Sequence, residues 1–318
     1  MSISLKEKIS PWIAIQRPFN CFLITMCAIV GIMVSNPAEF NDAQLLSHLP
    51  SLVMIFIGGW ALSASAMVLN DYFDIEVDKI NDPNRPIPSG KITPKQALTF
   101  GIILIVIGIL MSIGIDLYEK LANNGTQVGV SIVTAVICAI MAAAYTRYMK
   151  RFSIIGNLAV SVGVWVGFLY GDLVLDFVLS PLTQCMAAAA FFLNFGREVS
   201  KGIMDIEGDR ENNVTTVATA LGPKWTALIS SAIMFLAIPV SIIPIFVAEA
   251  SWAYLFSINV IQALVLAVSI WLLIDHKPET IKKIKYMVLV TMLLALIAFS
   301  LEAFLGVLHT VSPVFPLA

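Results

Sequence analysis

Charge is scarce in this sequence. Asp, Glu, Lys and Arg make up 13% of its 318 residues, against 58% hydrophobic ones, where a soluble domain carries about 25% charged residues. The shortage excludes a water-exposed surface over most of the molecule. With a formal net charge of −2, nothing suggests nucleic acid as a partner. Cysteine is equally sparse: Cys21, Cys27, Cys138 and Cys185 lack any paired short spacing, so they read as small buried hydrophobes and not as metal or redox ligands. His48, His276 and His309 are expected in separate loops or ends and make no ligand cluster. No small-residue cleavage site follows MSISLKEKIS, and no removable signal peptide is expected.

Long apolar runs are abundant. Windows of about 20 apolar residues, the length that crosses roughly 30 Å of hydrocarbon, predict nine transmembrane helices at 12–34, 50–74, 95–116, 127–147, 154–176, 181–205, 223–247, 251–274 and 285–309. The runs are too long and unbroken for a membrane barrel, whose strands alternate over about ten residues. The expected class is therefore an all-α integral membrane protein, with residues 1–318 forming one transmembrane domain.

Lys and Arg test the helix count. Against nine-helix parity, 18 of the 19 fall on one side and Lys120 alone on the other. One missed or invented helix would scramble that asymmetry, so the count predicts a cytoplasmic N-terminus and an external C-terminus.

On the cytoplasmic side, acids gather where the second helix emerges, in NDYFDIEVDKINDPNRPIPSG at 70–90. Asp71, Asp74 and Asp78 stand at i, i+3 and i+7, one face of a continuing helix. Such a concentration of negative charge is unfavourable unless something cationic binds it. A second cluster follows the sixth helix, in NFGREVSKGIMDIEGDRENN at 194–213, where Glu198, Lys201, Asp205 and Asp209 again share a face. Four helices separate the clusters, which places both on one side of the bundle. TPKQAL at 93–98 and GPKWTAL at 222–228 each open the helix after a cluster, with Pro in the first turn. The parallels predict two pseudo-repeated halves, about 12–147 and 154–274, plus a ninth helix around a central cavity, with sites at the repeat interface.

Two facing carboxylate clusters suit a hard divalent cation. Mg²⁺ in particular is usually held by a few carboxylates together with substrate phosphates. A diphosphate bound this way would also require cations on the protein, and Arg85, Lys91, Arg147, Lys150, Lys201 and Arg210 are at the same membrane face.

These residues carry a family resemblance. Asn70-Asp71-x-x-Asp74-x-x-x-Asp78 and Asp205-x-x-x-Asp209, with RPFN at 17–20, NRPIPSG at 84–90 and IGN at 155–157, resemble the motifs of UbiA-type intramembrane prenyltransferases. The stretch 197–222 is most similar to archaeal members that alkylate geranylgeranylglyceryl phosphate. The resemblance implies a nine-helix, Mg²⁺-dependent enzyme in which Asp71, Asp74 and Asp78 with Asn70 hold one ion and Asp205 and Asp209 the other. It implies a prenyl diphosphate donor, approached by Arg17 and Asn20, and a lipid-like acceptor. The family's Tyr followed four residues later by Lys is altered here: Tyr145 is followed at that offset by Met149, with Lys150 one place on.

The implied chemistry is metal-assisted departure of diphosphate from an allylic carbon. Phe73, Tyr145, Tyr148 and Phe195 are candidates for stabilising positive charge there. Glu198 is a candidate base, and Lys201 and Arg210 are candidates for an acceptor phosphate. An aromatic acceptor such as 4-hydroxybenzoate or a naphthoate is the alternative within the family. An ion-coupled transporter is the alternative outside it, disfavoured because the acids lie at helix ends and not at the midplane.

Overall fold

Pro18 divides the first expected helix. In a computed structural model of the chain, which describes residues 5–37, 42–123, 129–147, 153–175, 177, 179–212, 214–247 and 250–311, α1 (Leu5–Gln16) and α2 (Pro18–Ser35) meet at Arg17, with φ 51° and ψ 65°. Proline suits the first turn of a helix but disfavours helical backbone in the residue before it. Arg17 leaves the right-handed helix and occupies the left-handed region, at a cost of about 1–3 kcal/mol for a residue with a side chain. The break turns its guanidinium toward the first aspartate motif.

The remaining elements are α3 (Asp42–Phe73), α4 (Ile75–Asn81), α5 (Pro94–Ala122), α6 (Val130–Arg147), α7 (Ser153–Val174), α8 (Pro181–Lys201), α9 (Ile206–Glu211), α10 (Val217–Phe235), α11 (Ala237–Val247), α12 (Trp252–Ile274) and α13 (Pro278–Val311). Among the described residues, seven spans are long and apolar enough to cross a membrane: all of α2, α5 and α12, most of α3, α7 and α13, and α10 with α11 as one run. Two of the nine expected spans do not meet both conditions. The apolar part of α6, Val130–Ala143, is short, and α8 carries Arg197, Glu198 and Lys201 near its end.

Pro94 and Pro223 both start helical segments as expected. Thr93 and Gln96 form a capping box at α5, and at Gly222 (φ 78°) the backbone leaves helical geometry before Pro223 resumes it. The helix expected at 223–247 is interrupted between Phe235 and Ala237.

α3 packs on α5, α7 on α2 and α8, and α13 on α12 and α2. The α2–α7 approach is close enough to require glycine, since a Cβ on Gly171 would lie 2.5 Å from the Ala28 carbonyl oxygen. One apolar core joins α2, α7, α8 and α10 to α13, and a smaller one joins α1, α2, α3 and α5. Large apolar side chains also face outward, including Ile102, Val106, Leu110 and Leu117 of α5. A stripe of that kind is a liability in water and ordinary against lipid.

Acids do enter the expected spans, near the ends away from the aspartate motifs, where they bind other helices. Asp116 accepts from the Ser131 and Ile132 amides at 3.1 Å each, Asp172 from the Ser180 amide at 3.1 Å, and Glu302 from the Ser251 amide at 2.8 Å. Each satisfies first-turn N–H groups that hydrocarbon cannot solvate. His48, expected in a loop, is buried in α3 with Nδ1 3.2 Å from Glu119.

Candidate active site

Both aspartate motifs sit where a long helix gives way to a short one. The first does not run through a continuous helix: α3 ends at Phe73 and Asp74 is the N-cap of α4, although the Asp74 and Asp78 amides still bond four residues back, at 3.0 and 2.8 Å. In the second, the amides of Ile203, Met204 and Asp205 bond three residues back, a tighter turn between α8 and α9. Asp205 is then the N-cap of α9. The shared helical face expected from Glu198 to Asp209 is therefore broken at 202–205.

The two short helices pack against each other, joined by Asn81. Its Oδ1 accepts from the Gly208 amide at 3.1 Å, and its Nδ2 donates toward the Asp205 carbonyl at 3.4 Å. Gly208 is required for this approach, because a Cβ there would lie 2.5 to 2.6 Å from the Asn81 carboxamide atoms.

Behind the motifs lies a cavity of ≈ 310 Å³. Arg17, Asn20, Asn70, Asp74, Asp78 and Arg85 line its polar end on one side, and Glu198, Lys201, Asp205 and Asp209 on the other. The cavity then continues between apolar side chains including Ile24, Leu62, Val164 and Met292. Asp71 is behind this wall, where it holds two of the lining residues: Arg17 Nη2 is 2.5 Å and Arg85 Nη1 3.3 Å from Asp71 Oδ1. Arg85 Nη1 also donates to Asp78 at 2.5 Å.

Burial pushes the Asp78 carboxyl up to about 6; Arg85 pulls it down, while Asp71 and Asp74 push it further up. Burial works against the Arg85 charge too, but Asp71 and Asp78 outweigh it and hold its pKa above the ordinary value.

The donor set fits Mg²⁺. Asp74, Asp78, Asp205 and Asp209 offer hard oxygens from two sides of one cavity. Among the described residues, no three His, Cys, Asp or Glu side chains converge as a closed metal cage. That pattern suits an ion that takes one or two carboxylates and completes its shell with phosphate and water.

Other expected site residues lie elsewhere. Lys91 and Arg210 are exposed and do not line the cavity. The side chain of Tyr145, and all of Tyr148 and Lys150, lie outside the described residues. Phe73 is exposed, and Phe195 packs on Phe191 with ring centroids 5.8 Å apart. Among the described residues the cavity wall carries no aromatic ring; its soft groups are Cys138 and the thioethers of Met67, Met141 and Met292.

Sequence reading missed Arg197, which is buried, lines the cavity and pairs with Glu198 at 2.7 Å. It also missed Asn81 and Asn194. Arg197 sits four residues before Lys201, one helical turn, and that spacing was the available signal.

Fold and site together define an integral membrane protein that receives an amphiphile, its multiply charged head among carboxylates, arginines and lysine, its hydrocarbon in the apolar interior. The chain belongs to the UbiA prenyltransferase family, whose profile matches residues 24–297, and it is a prenyltransferase. It is 31% identical over 294 residues to the digeranylgeranylglyceryl phosphate synthase of Sulfolobus acidocaldarius, covering 92% of this chain and 98% of that one. A solved structure described as giving structural and mechanistic insight into digeranylgeranylglyceryl phosphate synthase in membranes is 27% identical, with a TM-score of 0.66 over 93% of this chain and 99% of that one. A UbiA homologue from Archaeoglobus fulgidus, solved with GPP and Mg²⁺, shares the fold at 16% identity, with a TM-score of 0.57 over 91% of this chain and 99% of that one.

Proposed function

We propose that the protein transfers a geranylgeranyl group from its diphosphate to the free hydroxyl of geranylgeranylglyceryl phosphate, a step of ether-lipid synthesis. The observation that carries this reading is the cavity itself, with two facing aspartate motifs at one end and apolar walls behind them. The names of relatives such as the Sulfolobus acidocaldarius synthase support the acceptor.

In this reading Asp74, Asp78, Asp205 and Asp209 hold Mg²⁺ together with the donor diphosphate, Asn70 assists, and Asp71 acts mainly through the two arginines it holds. When bound, Mg²⁺ supplies positive charge that offsets the charge developing on the departing diphosphate. Arg17 and Arg85 orient the same head from the first motif, and Asn20 stands beside Arg17. The apolar half of the cavity excludes water from the allylic carbon. There the acceptor oxygen forms its C–O bond as the bond to diphosphate breaks, and its proton passes to a base. Both oxygens of Glu198 are engaged, at 2.7 Å each, by Arg197 and Lys201, which makes it a weak base here; an aspartate freed of metal takes the proton.

α6 and α8 complete nine crossings in this reading. The recurrence of a long helix, a break and a short helix at α3–α4 and α8–α9 supports two pseudo-repeated halves in one domain. The N-terminus and both motifs are then cytoplasmic and the C-terminus external. Single cysteines at Ser89 and Glu211, in a background without the native cysteines, are expected to resist an impermeant thiol reagent in intact cells and to react after permeabilisation. One at Ala122 reacts in intact cells. Opposite labelling of Ser89 and Glu211 would place the motifs on different sides.

The acceptor is tested by offering purified protein geranylgeranyl diphosphate and a panel of acceptors, with products read by mass spectrometry. The digeranylgeranyl ether of glyceryl phosphate is expected. Ready prenylation of 4-hydroxybenzoate or a naphthoate, with the glyceryl phosphate ignored, refutes this acceptor.

A further inference from the structure

Arg197 is the most deeply placed cation of the site. It is 5% exposed, lines the cavity, and donates through Nη1 to Glu198 at 2.7 Å and to Asn194 at 3.3 Å. Its Nε is buried with no hydrogen-bond partner. A buried guanidinium N–H without an acceptor is unfavourable, and a partner is normally found for it. Lys201, one turn nearer the second aspartate motif, lines the same cavity and donates to the other oxygen of Glu198 at 2.7 Å. Two cations therefore share one carboxylate, leaving a net positive charge on the α8 wall. Lys285 of α13 is half-buried and stands four and seven residues before Leu289 and Met292, both of which line the cavity. That spacing puts it on the same helix face, one turn from Leu289.

We propose that Arg197 and Lys201, with Lys285 as an outer cation, form a phosphomonoester site distinct from the aspartate-flanked diphosphate site, and that it holds the phosphate of the lipid acceptor. The inference rests on the acceptor reading above and deepens it. The arginines at the first motif are already engaged by Asp71 and Asp78, whereas the α8 pair retains a surplus of charge and an unused donor. A phosphate monoester is a dianion rich in acceptors and matches both, with the guanidinium supplying a directed N–H and the ammonium a point charge. Glu198 keeps the two cations apart and oriented when the site is empty.

The test compares geranylgeranylglyceryl phosphate with geranylgeranylglycerol, which lacks only the phosphate, by calorimetric binding in identical micelles with chelator present and no donor. Wild-type protein is expected to bind the phosphate form at least tenfold more tightly. The triple variant Arg197→Gln, Glu198→Gln, Lys201→Gln removes both cations together with the carboxylate they share and leaves no lone charge on α8; it should reduce that preference to less than threefold. Lys285→Gln, which leaves the α8 cluster intact, should reduce it severalfold and serves if the triple variant does not fold. In turnover, the acceptor KM of both variants rises while the donor KM changes less than threefold. No phosphate preference in wild type, or an unchanged preference in the variants, overturns the site. A donor KM rising in parallel with the acceptor KM also overturns it, by assigning these cations to the diphosphate. Wild-type protein that binds the phosphate form selectively but prenylates only aromatic acceptors would refute the acceptor reading and leave the anion site standing.

Discussion

Asp205→Asn is expected to lower the transfer rate by about 10²–10³-fold, the loss typical when one preorganised electrostatic contact to the reacting groups is removed, with the protein still folded. The substitution keeps side-chain size and replaces a charged hard ligand by a neutral amide. Asp205 is at the N-cap of α9, where asparagine is as good a capping residue as aspartate. Higher Mg²⁺ should recover part of the loss. Asp71→Asn should be as severe but different in kind, because Asp71 anchors Arg17 and Arg85. Releasing both guanidinium groups raises the donor KM as well as lowering kcat, and added Mg²⁺ recovers little. In wild type, a chelator abolishes turnover and Mg²⁺ restores it. Measuring rate against Mg²⁺ and donor concentration for both variants checks this. Full activity in either variant, or in excess chelator, is incompatible with the two-motif site.

The difference between these aspartates was hidden in the sequence, where spacing made Asp71, Asp74 and Asp78 equivalent members of one face. Spacing is local information. Which carboxylate meets Arg17, 54 residues away, depends on how α2 packs on α3 and on the left-handed backbone at Arg17. The aspartate motifs themselves were legible because their acids are conspicuous in an apolar chain, and the starts at Pro94 and Pro223 because proline acts on its own turn. Arg197 was overlooked because counting Lys and Arg identifies a side of the membrane but not a face of a helix; only its spacing from Lys201 pointed to the site. The same limit explains Lys91 and Arg210, which have the expected charge and lie exposed. Asp116, Asp172 and Glu302 escaped notice for a related reason, since each caps a different helix and those pairings are tertiary.

The joint between the two motifs is testable on its own. Gly208→Ala is expected to reduce kcat/KM by up to about 10²-fold, the scale of a 1 Å misplacement of reacting groups, while unfolding is displaced by only about 1 kcal/mol for the hydrogen bonding lost. The new Cβ would lie 2.5 Å from Asn81 Oδ1, so the Asn81 side chain must swing away and release both the Gly208 amide and the Asp205 carbonyl. α4 and α9 then lose the bridge that fixes Asp78 against Asp205 and Asp209, and the Mg²⁺ concentration for half-maximal activity rises. Asn81→Ala removes the same bridge by deleting its other half and should give a similar loss. Because both act on one contact, the double variant should be no worse than Asn81→Ala alone, a non-additivity that independent sites do not show. Rates, Mg²⁺ dependence and thermal unfolding of the three variants decide the matter. Multiplying losses would separate the two residues. A severe Asn81→Ala combined with a wild-type-like Gly208→Ala would mean that Asn81, which also lines the cavity, acts directly on the ligand and not through the second motif.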